Sequence, residues 1–139
     1  MMTGTSSIKG AHLRIARPTN DLNKLVAFYR DGLGFEVVGS FEGHSGFDGV
    51  MLGHPEAGYH LEFTHEPGQQ LEEWRPTSEH LLVFYLPNKD EWQALVRHLD
   101  AFGSQRVSSH NPYWDSNGVT FLDPDGYRIV LQNQAWPIS

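Results

Sequence analysis

The chain has 139 residues and a formal net charge of −7, so it fits one domain with its own core and lacks the basic stripe that nucleic-acid binding requires. It has no cysteine, which excludes disulfides, zinc–thiolate sites and thiol nucleophiles and predicts a cytoplasmic location. No apolar run is long enough to cross a bilayer, and residues 1–10 lack a signal peptide's apolar centre and read as a flexible arm.

Residues 11–17 alternate, with Leu13 and Ile15 on one face and His12, Arg14 and Ala16 on the other. Pro18 ends this strand, and Thr19 or Asn20 can cap a helix. Leu22, Leu25, Val26, Tyr29 and Leu33 then recur at helical spacing, and Gly32 and Gly34 stop the helix. Strands are predicted over 35–41 and 47–52, around a loop at 42–46. The segment 59–65 alternates again, Leu61 and Phe63 opposing His60, Glu62 and Thr64.

Residues 66–79 form a connector rich in Pro, Gly and charge. A strand follows over 80–86, and Pro87-Asn88 opens a helix with the stripe Trp92, Leu95, Val96, Leu99 and Phe102, closed by Gly103. A short strand at 105–108 and a polar, aromatic loop at 109–117 lead to a hairpin. Its turn, Asp123-Pro124-Asp125-Gly126, needs positive φ at Gly126, so Asp123 and Asp125 are turn residues and not a catalytic carboxylate pair. Beyond the turn, Tyr127, Ile129 and Leu131 face one way and Arg128, Val130 and Gln132 the other.

The order is β-α-β-β-β twice, with a first unit at 11–65 and a second at 80–133, inside one domain spanning 11–139. An offset of about 68 positions lays His12 on His80, Asn20 on Asn88 and Glu62 on Val130. With a helix on one face of each sheet, the open faces carry His12, Arg14, Glu62 and Thr64 in the first unit. The second contributes His80, Leu82, Phe84, Val130 and Gln132. A concave, partly polar sheet face of this kind is where a small ligand binds.

The repeat and the hairpin Gly118-Val-Thr-Phe-Leu-Asp-Pro-Asp-Gly-Tyr-Arg-Ile-Val-Leu-Gln-Asn133 resemble the vicinal oxygen chelate superfamily. That superfamily holds glyoxalase I, extradiol dioxygenases, and the fosfomycin and bleomycin resistance proteins. The resemblance implies an α+β fold of two βαβββ units, with curled mixed sheets around a pocket and one helix on the outer face of each. It also implies a homodimer in which each pocket is completed across the pair. Its four metal ligands come from the first and last strands of each unit, which here are His12, Glu62, His80 and Val130. Aligning Leu13-Arg14-Ile15 directly on the family's first strand puts Gly10 in the first place instead, and both placements stand open.

Val130 carries no donor where metal-using members have a glutamate. The choice therefore lies between a divalent metal (Zn, Ni, Mn or Fe) on His12, Glu62 and His80 and a metal-free polar pocket. Arg14 can hold a carboxylate or phosphate, or pair internally with Glu62. Arg17, near a strand end, is expected to be exposed or to cap. The other histidines, at 44, 54, 60, 65, 98 and 110, are read as surface residues. Among the aromatic residues outside the helical stripes (Phe41, Phe47, Trp74, Phe84, Tyr113 and Trp114), Trp74, Tyr113 and Trp114 are the strongest candidates to stack on a planar ligand. There is no phosphate-binding loop and no Gly-x-Ser-x-Gly elbow. The expectation is a binding protein that sequesters a hydrophobic or aromatic small molecule, with no cofactor and no nucleic-acid or membrane partner. The alternative is a divalent-metal lyase, isomerase, dioxygenase or thiol transferase with Glu62 as ligand or base.

Overall fold

A computed structural model describes residues 7–72 and 76–137, and Trp74 lies outside them. The first unit contains β1 (Leu13–Pro18), α1 (Leu22–Val26), which runs on as a π-helical turn over Ala27–Gly32, β2 (Glu36–His44), β3 (Phe47–Gly53) and β4 (Tyr59–His65). The second contains β5 (Leu81–Tyr85), α2 (Lys89–Phe102), β6 (Arg106–Val107), the one-turn α3 (Tyr113–Ser116), β7 (Gly118–Leu122) and β8 (Arg128–Gln132). Each unit forms a mixed four-stranded sheet, ordered β1-β4-β3-β2 and β5-β8-β7-β6, with the first and last strands of the unit parallel neighbours. This is the α+β pair of βαβββ units that the repeat predicted.

Local chemistry sets the ends of the elements. Asp21, and not Thr19 or Asn20, caps α1 by accepting from the Lys24 amide. Thr19 accepts from the Asp21 amide, while Asn20 makes two hydrogen bonds to the backbone of Leu71 and ties down the connector. Asn88 caps α2 as expected, and Gly103 ends it at φ 92°. The β2–β3 hairpin is longer than predicted because Ser45 and Gly46 both take positive φ and make a tight turn, leaving no loop.

Leu25, Phe28, Tyr29, Phe35, Leu61 and Phe63 from the first unit and Val96, Leu99, Phe121, Ile129 and Leu131 from the second form one continuous core. Trp92 belongs to its rim, with its indole N–H donating to the Leu131 carbonyl. At the seam, Phe35 meets Phe84 edge-on at 5.8 Å.

A buried polar hub joins the units beside this core. The Tyr29 hydroxyl donates to Asp123 Oδ2 at 2.6 Å, and the amides of Asp125 and Tyr127 both donate to Oδ1. Arg17 corrects its sequence reading. It is buried, its guanidinium lies 3.7 Å over the Tyr127 ring, and one nitrogen is 3.9 Å from Asp123 Oδ2. A strand-end arginine is buried here because a carboxylate and an aromatic face from the other unit receive it. Burial pushes the Asp123 carboxyl above its usual range, against the lowering effect of these donors, and pushes the Tyr29 phenol well up.

Two predictions follow from the hub and its turn. Tyr29→Phe keeps the ring and removes a buried donor, so urea melts at pH 7 should show a loss of about 1–3 kcal/mol. The loss should shrink toward acid pH, because a protonated Asp123 no longer needs a donor for a buried charge. Gly126 takes φ 88° as the turn requires, so Gly126→Val should cost about 1–3 kcal/mol in the same melts.

Candidate functional site

The two sheets differ in what their uncovered faces present. On the first, pairing of Arg14 with His60 and of Ala16 with Glu62 places the polar side chains of β1 and β4 side by side. Met51, paired with Glu62, and Gly49, paired with Thr64, extend this face across β3. The Phe41 ring lies against Gly49, where an added Cβ would collide with it, so the glycine is what lets the ring come this close to the strand.

His12, His60, Arg14 and Glu62 form a chain of hydrogen bonds on this face. His60 was read as a surface histidine, although its alternation with Leu61 already put it beside Glu62. Arg14 Nε can only donate, so His60 Nε2, at 2.8 Å, accepts. A neutral His60 then carries its proton on Nδ1 and donates it to His12 Nε2 at 2.6 Å. Arg14 also donates to Glu62 Oε2 at 3.2 Å, so it forms the internal ion pair. Its side chain remains 46% exposed and that of Glu62 is 12% exposed. Partial desolvation, then the positive Arg14 and the neighbouring His12, lower the His60 pKa, which agrees with the neutral tautomer.

On the second sheet the register differs from the repeat. Ile15 pairs with Leu61, and Leu82 with Ile129. Ile15 thus matches Leu82, 67 positions on, while Leu61 matches Ile129, 68 positions on. A one-residue slip turns every side chain of a strand over. Phe84 and Leu82 therefore pack on the core and not on the open face. Val83 and Tyr85 stand beside Val130 and Gln132 instead. His80 precedes β5, is exposed, and sits edge-on to Tyr127, on the side that Tyr127 shares with Ile129 and Leu131. It does not stand beside Val130.

Val130 and Gln132 do lie on the face opposite the core, yet both are 0% exposed. The segment after β6 folds onto that face. Arg128 donates to the Ser108 carbonyl, and the Ser109 and Thr120 hydroxyls bond at 2.7 Å. Asp115 in α3 accepts from the Ser109 amide. The Tyr113 and Trp114 rings meet edge-on at 4.9 Å on this covering segment, Tyr113 exposed and Trp114 half-buried. Gln132 donates to Gln134, while its Oε1 is buried without a partner.

These donors do not fit a metal. The Nε2 lone pair of His12 takes the His60 proton, Glu62 is held by a guanidinium, Val130 is apolar and His80 faces elsewhere. Among the described residues no group of three or more His, Asp or Glu could hold an ion, and no helix is long and apolar enough to cross a membrane.

The YycE-like N-terminal domain matches residues 13–64, and the YycE-like C-terminal domain matches residues 79–133. YycE of Bacillus subtilis (strain 168), itself uncharacterized, is 50% identical over 129 residues, covering 92% of this chain and 91% of that protein. The crystal structure of a YycE protein from Bacillus subtilis superposes with a TM-score of 0.85 at 47% identity, over 94% of this chain and 95% of that one. A mutant FosX fosfomycin resistance protein from Listeria monocytogenes, complexed with Mn(II) and 1S,2S-dihydroxypropylphosphonic acid, gives 0.64 at 19% identity, over 98% and 96%. TnmS3, an antibiotic binding protein from a Streptomyces species, gives 0.62 at 21%, over 94% and 98%. At these identities the last two share the fold alone.

The hydrogen-bond chain is testable by titration. In NMR spectra the His60 ring should take up its proton below the ordinary histidine range, with the neutral ring protonated at Nδ1. A depressed pKa means that the folded state resists protonation. This residue's contribution is therefore present above about pH 6.5 and is lost as pH falls through the folded value. Arg14→Met should move the His60 titration back up.

Proposed function

The chain belongs to the YycE-like family of the vicinal oxygen chelate superfamily, and from that premise we propose that it is a metal-free small-molecule-binding protein. The ligand is a hydrophobic or aromatic compound, held on the open face of the first sheet in a pocket completed across a homodimer. The observation that carries this reading is the Arg14–Glu62 pair. Glu62 stands where the superfamily places a ligand carboxylate, and its charge is met by an arginine on the neighbouring strand.

Arginine stays charged throughout the useful pH range and has no lone pair to offer. The pair therefore supplies donors to a bound molecule in place of Lewis acidity. Met51 and Phe41 add soft and flat apolar surface beside these donors, and Thr64 adds a hydroxyl. In the homodimer, the partner's second unit faces this floor, and Tyr113 and Trp114 on its covering segment are the rings offered for stacking.

Thermal-shift and calorimetric titration of the native chain test the reading, with zinc, nickel and manganese chlorides set against bleomycin and an anthracycline. Metals should leave the Tm unchanged, and a bound aromatic compound at a hundredfold excess over its Kd should add about 2.7 kcal/mol. Stoichiometric metal binding would overturn the proposal, and a stable monomer by sedimentation at micromolar concentration would remove the shared pocket. Val130→Glu separates the two chemistries further. It buries a carboxylate between Val83 and Thr120, and should cost at least about 3 kcal/mol that zinc does not restore.

A further inference from the structure

A second concave site lies on the seam between the units, away from both open sheet faces. It is a cleft of about 360 Å³, walled by Phe28 from the π-helical turn, by Phe102 to Gln105 at the end of α2, and by Leu122 to Pro124 and Gly126 at the hairpin turn. That volume is at the lower end of ligand pockets, which run from roughly 300 to 1,000 Å³. Phe102 closes the apolar stripe of α2 yet is 42% exposed, with the His98 ring beside it at 6.4 Å. The Ser104 hydroxyl is buried with no hydrogen-bond partner. Asp123 is the one charged residue in the wall, and its carboxylate is turned inward to Tyr29, Arg17 and two amides.

We propose that this cleft binds a small uncharged aromatic molecule carrying one hydroxyl or similar group, with the ring against Phe28 and Phe102 and the polar group on Ser104. A charged ligand would find no counter-ion here and would lose its hydration. A purely apolar one would leave the serine as unsatisfied as it is in the free protein. Ser104 lines the cleft and its hydroxyl has no partner in the fold, so a hydrogen bond to a bound molecule is one that the fold itself does not supply.

The test uses the full chain, with p-cresol and toluene as probes that differ by one hydroxyl. In amide-resolved NMR titrations both should shift Gly103, Ser104, Gln105 and Gly126 saturably, with p-cresol bound about 3–10-fold more tightly. Ser104→Ala should fold with an unchanged or higher Tm, since it deletes an unpartnered hydroxyl, and should erase the preference for p-cresol. Ser104→Leu should block both probes. The proposal is overturned if no saturable shift appears at these amides, if the shifts gather instead at Arg14, His60 and Glu62, or if Ser104→Ala keeps the preference.

Discussion

The structure depends on one buried carboxylate. Asp123 has a fully buried side chain, and a charge so placed persists only where donors surround it. Two donors are local, the turn amides of Asp125 and Tyr127. The first unit adds a third donor, the Tyr29 hydroxyl, and the positive charge of Arg17, 3.9 Å away and too far to donate a hydrogen bond. Neither unit satisfies this group alone. The hub therefore fixes how the units dock, directs both helix-covered faces into one core, and leaves the other face of each sheet to be used or covered.

That division explains which parts of the fold were legible in the sequence. Alternation is local, so His60, Glu62 and Thr64 could be set against Leu61 and Phe63 with no knowledge of neighbouring strands. The run His80-Leu-Leu-Val-Phe-Tyr-Leu86 is apolar at nearly every position and carries no phase of period 2. Its facing was borrowed from the repeat, and the one-residue slip inverted it, which misplaced Phe84 and His80. Arg17 was misjudged for a different reason. Its burial depends on Asp123 and Tyr127, more than a hundred positions away, and nothing near residue 17 signals them. The covering of Val130 by residues 108–117 is equally non-local.

The first sheet's open face shows a choice between two ways of meeting a carboxylate. A divalent ion would draw lone pairs from Glu62 and from imidazoles, and would leave those imidazoles no acceptor role toward the protein. Here the lone pairs are spent internally. His60 accepts from Arg14, His12 accepts from His60, and Glu62 accepts from Arg14. The guanidinium is thus held at two of its nitrogens and cannot swing away to free the carboxylate without breaking both contacts. Arg14 is half-exposed even so, and it has further N–H groups beyond those two contacts. On this face Arg14, His60 and Glu62 form one hydrogen-bonded set.

The hub and the seam cleft share one structural element. The turn from Asp123 to Gly126 turns its carboxylate to the interior and its backbone, with Pro124, to the cleft. Phe28, on the cleft's other side, immediately precedes Tyr29, whose hydroxyl holds that carboxylate. Two of the cleft's three walls thus belong to the segments that make the buried hydrogen bond, and the end of α2 forms the third. A molecule that fits between them is sensitive to the docking distance of the units, because a small displacement of the turn changes the cleft width and the Tyr29–Asp123 contact together.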